Sequence, residues 1–317
     1  MTHRIALVGC GSMGLNHARV IATSPRTSLS VIIDPHEEIG RAAAEMYGAA
    51  WAPELDGLGD VDAAVIAAPT EYHHGLAREV IRVGLPLLVE KPICPSVEET
   101  REIIAASEDA GTPLMCGLLE RFNPAVRVAL GMVEEALHVR SERHSPYAPR
   151  IRTGVAWDLL VHDVDLVVQA FGGGHPDAVE VAVGEFHPSS LPGAEDVMEA
   201  VMRFGSGIAT VSASRIGQRK SRTMVIWELD KMIEVDLLRR GVTVYRHASV
   251  EETEVGHFGF RQRTEMEVPE IMGAEPLVSQ LDHFVDLIEG TADVDRERDS
   301  ILPAHQVVES ALAARVG

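Results

Sequence analysis

Apolar positions in the first third of the chain come in short unbroken runs separated by amphipathic stretches. Ile5 to Val8, Leu29 to Ile33, Val61 to Ala68, Pro86 to Val89 and Leu114 to Gly117 read as strands buried on both faces. Between them, helical spacing predicts helices after Gly14, from Glu38 to Met46, from Gly75 to Val83 and from Val97 to Asp109. Strand and helix alternating in this way predict a doubly wound parallel sheet. The rhythm changes at Asn123. A helix is expected from Pro124 to Leu137, then an irregular Arg-rich stretch, then a strongly apolar helix from Val155 to Phe171. Beyond Gly172-Gly173-Gly174 the period falls to two. Strands are expected over Ala178–Phe186, Val197–Phe204, Ile208–Ser214, Thr223–Leu229, Met232–Leu238 and Val242–Tyr245, with Gly205, Gly207 and Gly241 in the turns. Strands in succession without helices imply an open antiparallel sheet, one face of which packs on helices. Two helices, Leu277–Glu289 and Leu302–Ala314, close the chain. The expected fold is therefore α/β plus α+β: a Rossmann domain over residues 1–122 and a second domain over 123–317, with the last helix able to pack back on the first.

The first strand ends in Gly9-Cys10-Gly11-Ser12-Met13-Gly14, at G-x-G-x-x-G spacing, and a helix follows at once. Gly9 permits the tight turn, Gly11 lets backbone approach a pyrophosphate, and Gly14 lets helix and strand pack closely. The helix N-terminus supplies N–H groups and a favourable dipole for the phosphates. Asp34 ends the second strand, where a carboxylate meets the adenosine ribose. A cap on the following helix is the other use of such an acid. The ordered series of strand, glycines, helix, strand and acid favours dinucleotide binding. A carboxylate there repels a 2′-phosphate and no Arg directly follows it, so NAD is expected over NADP.

Composition narrows the partners. The 317 residues suit two domains, and 28 Lys and Arg against 48 Asp and Glu give a formal charge of −20. So acidic a surface repels nucleic acid and anionic membranes. Cys10, Cys94 and Cys116 match no metal-ligand spacing and suit a reducing compartment. No apolar run is long enough to span a bilayer, and the chain enters a strand almost at its start, so a cytoplasmic protein without a signal peptide is expected. No metal is expected. An exposed sheet face would favour a homodimer or homotetramer.

Ligands of doubly wound sheets bind beyond the carboxyl ends of the strands. That places Pro69-Thr70 with His73, Glu90-Lys91-Pro92 and Glu120-Arg121-Phe122-Asn123 among the candidates. In the second half, Asp158 and His162 are four apart on a nearly all-apolar helix. Ionisable groups in such a setting are costly unless paired or functional. A local Asp-His pair or a satisfied core histidine is the plain alternative. Lys91, just past a strand end and followed by Pro92, adds an amine at the nicotinamide rim. An amine, an imidazole and a carboxylate able to meet at one cofactor end make a proton-transfer site.

The chain resembles the Gfo/Idh/MocA oxidoreductases, NAD(P)-dependent enzymes acting mostly on sugars and cyclitols. The resemblance covers nearly the whole length. It rests on the glycine motif with His17, on Pro69-Thr70-Glu71-Tyr72-His73, on Glu90-Lys91-Pro92, and on Asp158 to His162 followed by Asp163 and Asp165. It implies a catalytic group of Lys91, Asp158 and His162. The implied cofactor contacts are Gly9, Gly11, Ser12, Met13, Gly14, Asp34, Pro69, Thr70, His73, Glu90 and Lys91. Thr70 stands where the family usually has Asn. Substrate contacts are expected from Lys91, Arg121, Asn123, Arg152, Asp158 and His162. Gly117 to Pro124, Pro149 to Arg152, Lys220-Ser221-Arg222 and Glu275-Pro276-Leu277 look like the branch that includes UDP-N-acetylglucosamine 3-dehydrogenases. From Ser214 to Arg222 there are four cations and no acid, which suits a diphosphate, a solvated loop or an oligomer contact. The expected substrate is thus a sugar, in particular a nucleotide sugar. The rival readings are a dehydrogenase of free sugars, inositols or an imine-like compound, and a non-catalytic dinucleotide sensor that binds a partner protein.

Overall fold

The computed structural model describes residues 1–149, 151, 153–254 and 257–314. They divide into two compact units, one of 1–119 with 274–306, the other of 120–273 with 307–317.

The first unit is built on six parallel strands: β1 (His3–Val8), β2 (Thr27–Ile33), β3 (Ala50–Ala52), β4 (Ala63–Ile66), β5 (Leu87–Val89) and β6 (Leu114–Cys116). Their order is β3-β2-β1-β4-β5-β6, with the reversal between β1 and β4. Ile5, Ala6, Leu7 and the whole of β4 are 0 % exposed. A strand covered on both faces needs unbroken apolar residues, which is why these runs were so legible. Each fully buried Ile or Leu there contributes roughly 1.5–3 kcal/mol. The helices are α1 (Ser12–Thr23), α2 (Glu37–Tyr47), α3 (Thr70–Arg82) and α4 (Val97–Ala110). Ser96 caps α4: its Oγ accepts from the Glu99 N–H (3.2 Å) and its hydroxyl donates to the Glu99 carboxylate. Helix α3 starts five residues before its expected start, directly after Pro69, whose fixed φ suits a helix entry.

The second unit carries an eight-stranded sheet and two helical segments. After α5 (Pro124–Gly131), six residues short of its expected end, come β7 (His138–His144), a π-helical turn (Ala156–Leu160) and α6 (Val161–Ala170). The strands β8 (Ala178–Gly184), β9 (Val197–Phe204), β10 (Gly207–Ser214), β11 (Ser221–Trp227), β12 (Met232–Asp236), β13 (Gly241–Glu254) and β14 (His257–Glu267) follow. Their order is β14-β13-β12-β11-β7-β10-β9-β8. Two expectations are corrected here. The Arg-rich stretch taken as irregular is β7, a central strand. The sheet is also not wholly antiparallel, because β7 runs parallel to β10 and antiparallel to β11. Along β9, Met198, Ala200 and Met202 face inward and Glu199, Val201 and Arg203 outward. The outward face mixes charges with Val201 and Ile208. Helices α7 (Pro276–Ile288), α8 (Val294–Asp299) and α9 (Leu302–Ala313) end the chain. In the first unit Arg19 of α1 pairs with Glu275, and Arg26 with Asp286 and Glu289 of α7 and its end. No helix is long and apolar enough to cross a membrane among the described residues.

Candidate active site

Registration of the parallel strands builds the first part of the site. Val8 lies opposite Ile33 and Ile66, so Gly9, Asp34 and Ala67 leave the sheet side by side. Gly9 has φ +89°, and a Cβ on it would stand 2.7 Å from Ala68 N. A Cβ on Gly14 would overlap the Gly9 carbonyl, whereas one on Gly11 would meet nothing within 4 Å. The turn is thus closed behind Gly9 and Gly14 and open above Gly11. Gly11 is also the N-cap of α1, so no side chain caps that end, and its first turn, which includes Ser12 and Met13, holds no acid. A bare positive helix end over an open glycine is the cradle a pyrophosphate requires.

Next to it lies a cavity of about 680 Å³ with Gly9, Asp34, His36, Leu55, Pro69 and Tyr72 on its walls. Glu54, Asp56, Glu71 and Glu79 also line it, and no Lys or Arg does. Asp34 does not cap α2, whose N-cap is His36. Its Oδ2 accepts from Cys10 N (2.9 Å) and from the Cys10 thiol (3.1 Å), and its Oδ1 accepts from His36 N (2.9 Å). Burial opposes the charged carboxylate, but these donors prevail and hold Asp34 below the usual carboxylate range. Burial, reinforced by Asp34, pushes the Cys10 thiol up to about 12, so at neutral pH it stays a donor. Cys10 was not singled out by spacing; its place between two motif glycines is the signal that could have found it.

Several expected contacts are used within the protein instead. His73 is buried, with Nδ1 2.9 Å from the Pro92 carbonyl and Nε2 2.8 Å from that of Ala68, so it ties two strand ends together and stands off the cavity wall. Glu90 is buried against His17, Oε1 to Nε2 2.7 Å, and its Oε2 accepts from Lys91 N. The Glu-Lys-Pro loop is thereby fixed to α1, and the Lys91–Pro92 peptide is cis. Pro69 and Thr70 begin α3, Pro69 on the cavity wall.

In the second unit the expected single helix is a π turn followed by α6, a local form often found at functional sites. Val155 and Ala156 are buried, Trp157, Asp158 and Leu159 are half-buried, and His162 and Gln169 are the half-buried positions of α6. Asp158 and His162, four residues apart, are thus both partly exposed, as are Trp157, Leu159 and Gln169, on a segment that is otherwise covered. Glu195, itself buried, accepts from Ala156 N at 2.8 Å and its carbonyl accepts from Val155 N at 3.0 Å, capping the turn. A Cβ on Gly154 would overlap that carboxylate. We expect Gly154→Ala to cost about 1–3 kcal/mol by overpacking, read as a lower urea midpoint with unchanged m.

Cations surround Asp158. Arg215, 4 % exposed, donates from Nη2 to the Thr153 carbonyl and lies 3.9 Å from Asp158 Oδ2. Asp163, on the buried side of α6, accepts from Ser141 Oγ (2.6 Å) and from Arg143 Nε. Arg143 Nη1 donates to Glu120 Oε1 (2.9 Å), and Arg222 Nη1 reaches the same oxygen at 3.3 Å. Burial opposes the Glu120 charge, yet the Arg143 cation holds it below its ordinary value. Two residues expected at the substrate also serve this network. Arg121 forms a two-pronged pair with the buried Asp165, at 2.8 and 2.5 Å. Asn123 caps α5 through Ala125 N and donates to Glu120 and to the Leu237 carbonyl. Arg152 lies outside the described residues. Among those residues no group of three or more His, Cys, Asp or Glu is placed to hold a metal ion.

Known proteins resemble both halves of the chain. A Gfo/Idh/MocA profile, described as an oxidoreductase family with an NAD-binding Rossmann fold, matches residues 3–118, and the family's C-terminal domain profile matches 128–233. A UDP-N-acetylglucosamine 3-dehydrogenase of Acidithiobacillus ferrooxidans is 27 % identical over 290 residues, 90 % of this chain and 88 % of that protein. An inositol 2-dehydrogenase of Rhizobium meliloti is 30 % identical over 52 % of this chain and 54 % of its own. The solved structure of the Acidithiobacillus enzyme covers 99 % of both chains with a TM-score of 0.85 at 24 % identity. A levoglucosan dehydrogenase in complex with NADH and levoglucosan superposes over 99 % of this chain and 98 % of its own, with a TM-score of 0.79 at 18 % identity.

Proposed function

The chain belongs to the Gfo/Idh/MocA family of NAD-binding oxidoreductases, and we propose that it oxidises a secondary alcohol on a nucleotide-linked sugar. The observation that carries the reading is that Asp158 and His162 are both partly exposed on a largely buried segment, with Arg215 3.9 Å from Asp158. Bound NAD supplies the acceptor for the substrate hydride. His162 takes the hydroxyl proton, since an imidazole's ordinary pKa lies nearest neutrality. Asp158 orients that imidazole and binds a neighbouring hydroxyl. Lys91 bonds the reacting oxygen and steadies its developing negative charge. A sensor that only binds dinucleotide has no need of these three groups together.

The test is the gain of nicotinamide absorbance at 340 nm with NAD and UDP-N-acetylglucosamine, N-acetylglucosamine or myo-inositol. Turnover confined to the UDP-sugar supports the proposal. Turnover of inositol alone favours the second reading, to which the inositol dehydrogenase relative points. Silence with every sugar favours the sensor.

The acidic cavity supports NAD over NADP, because a 2′-phosphate would face Asp34, Glu54 and Asp56 together. Asp34→Ala is expected to weaken NAD binding about tenfold, or about 1.4 kcal/mol, and to narrow the NAD/NADP affinity ratio. Titration of both cofactors with the variant checks this, and an unchanged ratio would remove Asp34 from ribose recognition.

A further inference from the structure

The four cations between Ser214 and Arg222 have separate fates. Arg219 and Lys220 are exposed on the turn, and Arg215 is buried on Thr153 and Asp158. Arg222 differs from all three. It opens β11 directly across from Arg143 of β7, so two like charges face each other on the inner side of the sheet. Both reach one oxygen of Glu120, and Arg222 holds the longer bond. The other Glu120 oxygen accepts from Asn123, and both oxygens of Asp163 are taken by Ser141 and Arg143. Arg143 Nη2 is buried without an acceptor among the described residues. The cluster is therefore rich in donors and short of acceptors.

Arg121 offers a comparison in the same unit: two short bonds to one buried carboxylate, and a side chain 13 % exposed. The Arg222 side chain is 37 % exposed and makes one long bond. Burial, and then the Arg143 cation, press Arg222 below the ordinary guanidinium range, as expected where positive charge is under-compensated. Asp158 acts electrostatically on Arg222, and Asp163, which holds the facing Arg143, follows Asp158 by five residues on the same helical segment.

We infer that Arg222 is the anion-binding residue of a subsite beside Asp158 that takes an anionic group carried by the substrate. That group is a phosphate of a nucleotide sugar or the carboxylate of an acid sugar. The inference rests on the dehydrogenase reading and deepens it. Guanidinium suits either group, because its fork matches two oxygens at once.

Calorimetric titration of the NAD-loaded protein with UDP, inorganic pyrophosphate and glucuronate tests the subsite, with myo-inositol as the uncharged control. At least one anion is expected to bind, tenfold or more weaker in R222Q and less affected in R222K, and weaker for the unaltered protein as salt rises. UDP or pyrophosphate responding assigns the phosphate; glucuronate alone assigns the carboxylate. No anion binding to the unaltered protein, or equal binding by R222Q, overturns the inference. Should R222Q fail to fold, the salt series and R222K decide. Oxidation of UDP-N-acetylglucosamine with a KM that R222Q leaves unchanged would sink the subsite and spare the proposed substrate. Anion binding through Arg222 without oxidation of that sugar would do the reverse.

Discussion

His162→Ala lowers turnover by roughly 10²–10⁴, the contribution of a positioned general base, while NAD affinity stays within about twofold. The two readouts separate because the residues proposed to cradle the dinucleotide, Gly9, Gly11, Gly14 and Asp34, belong to the first compact unit and His162 to the second. The fold should tolerate the change. His162 is half-buried on the open side of α6, and its neighbours Val161, Val164 and Leu166 hold the helix in place by burial. A drop of this size in kcat with an unchanged urea midpoint is therefore a chemical loss. Added imidazole gives a further readout, since a small base entering the vacated space restores part of the rate only where proton transfer was the missing step. Unchanged turnover would remove His162 from the mechanism. Reduced turnover together with a lowered midpoint would return it to the structural role that an isolated histidine on an apolar helix suggests.

The legible and illegible parts of the chain differ for a physical reason. The first unit was readable because a parallel sheet covered on both faces requires unbroken apolar strands, and the glycines that close its turn cannot be replaced without overlap. Strand β7 escaped because two of its inward positions are Ser141 and Arg143, which serve Asp163 and Glu120 and not an apolar core. Its alternation is real, but past Val139 hydropathy alone hardly shows it. The same polar demand explains Arg121 and Asn123. Their place after β6 points to function, and in the fold Arg121 also pairs with the buried Asp165 while Asn123 caps α5. Strand β3 is three residues long, too short to show a period. In β13 beyond Val242–Tyr245, and in β14, charged and polar residues run along much of the sequence, so no period marked them as strand. What decides these cases is pairing across the fold, which a linear pattern does not contain.

Arg143→Met tests that buried pairing and carries the largest expected stability effect. Arg143 is 2 % exposed, and removing it strands Glu120 and Asp163 in the interior. Breaking a buried ion pair from one side costs about 3–5 kcal/mol, more than the methionine chain regains by packing. The pH dependence identifies the cause. In the unaltered protein the folded Glu120 sits below its unfolded value, so its contribution is fully present above about pH 4.3 and is lost as pH falls below that. In the variant the Arg143 cation is gone while burial remains, so Glu120, left with Arg222 and Asn123, is held down less than in the unaltered protein. The stability that its ionisation contributes as pH rises from about 4.3 towards 7 is then smaller. Urea unfolding of both proteins at pH 4.5 and pH 7 should therefore show a stability gap that widens with pH. A gap of equal size at the two pH values would mean that the loss is one of packing, and that the arginine does not hold a charged carboxylate beside the candidate site.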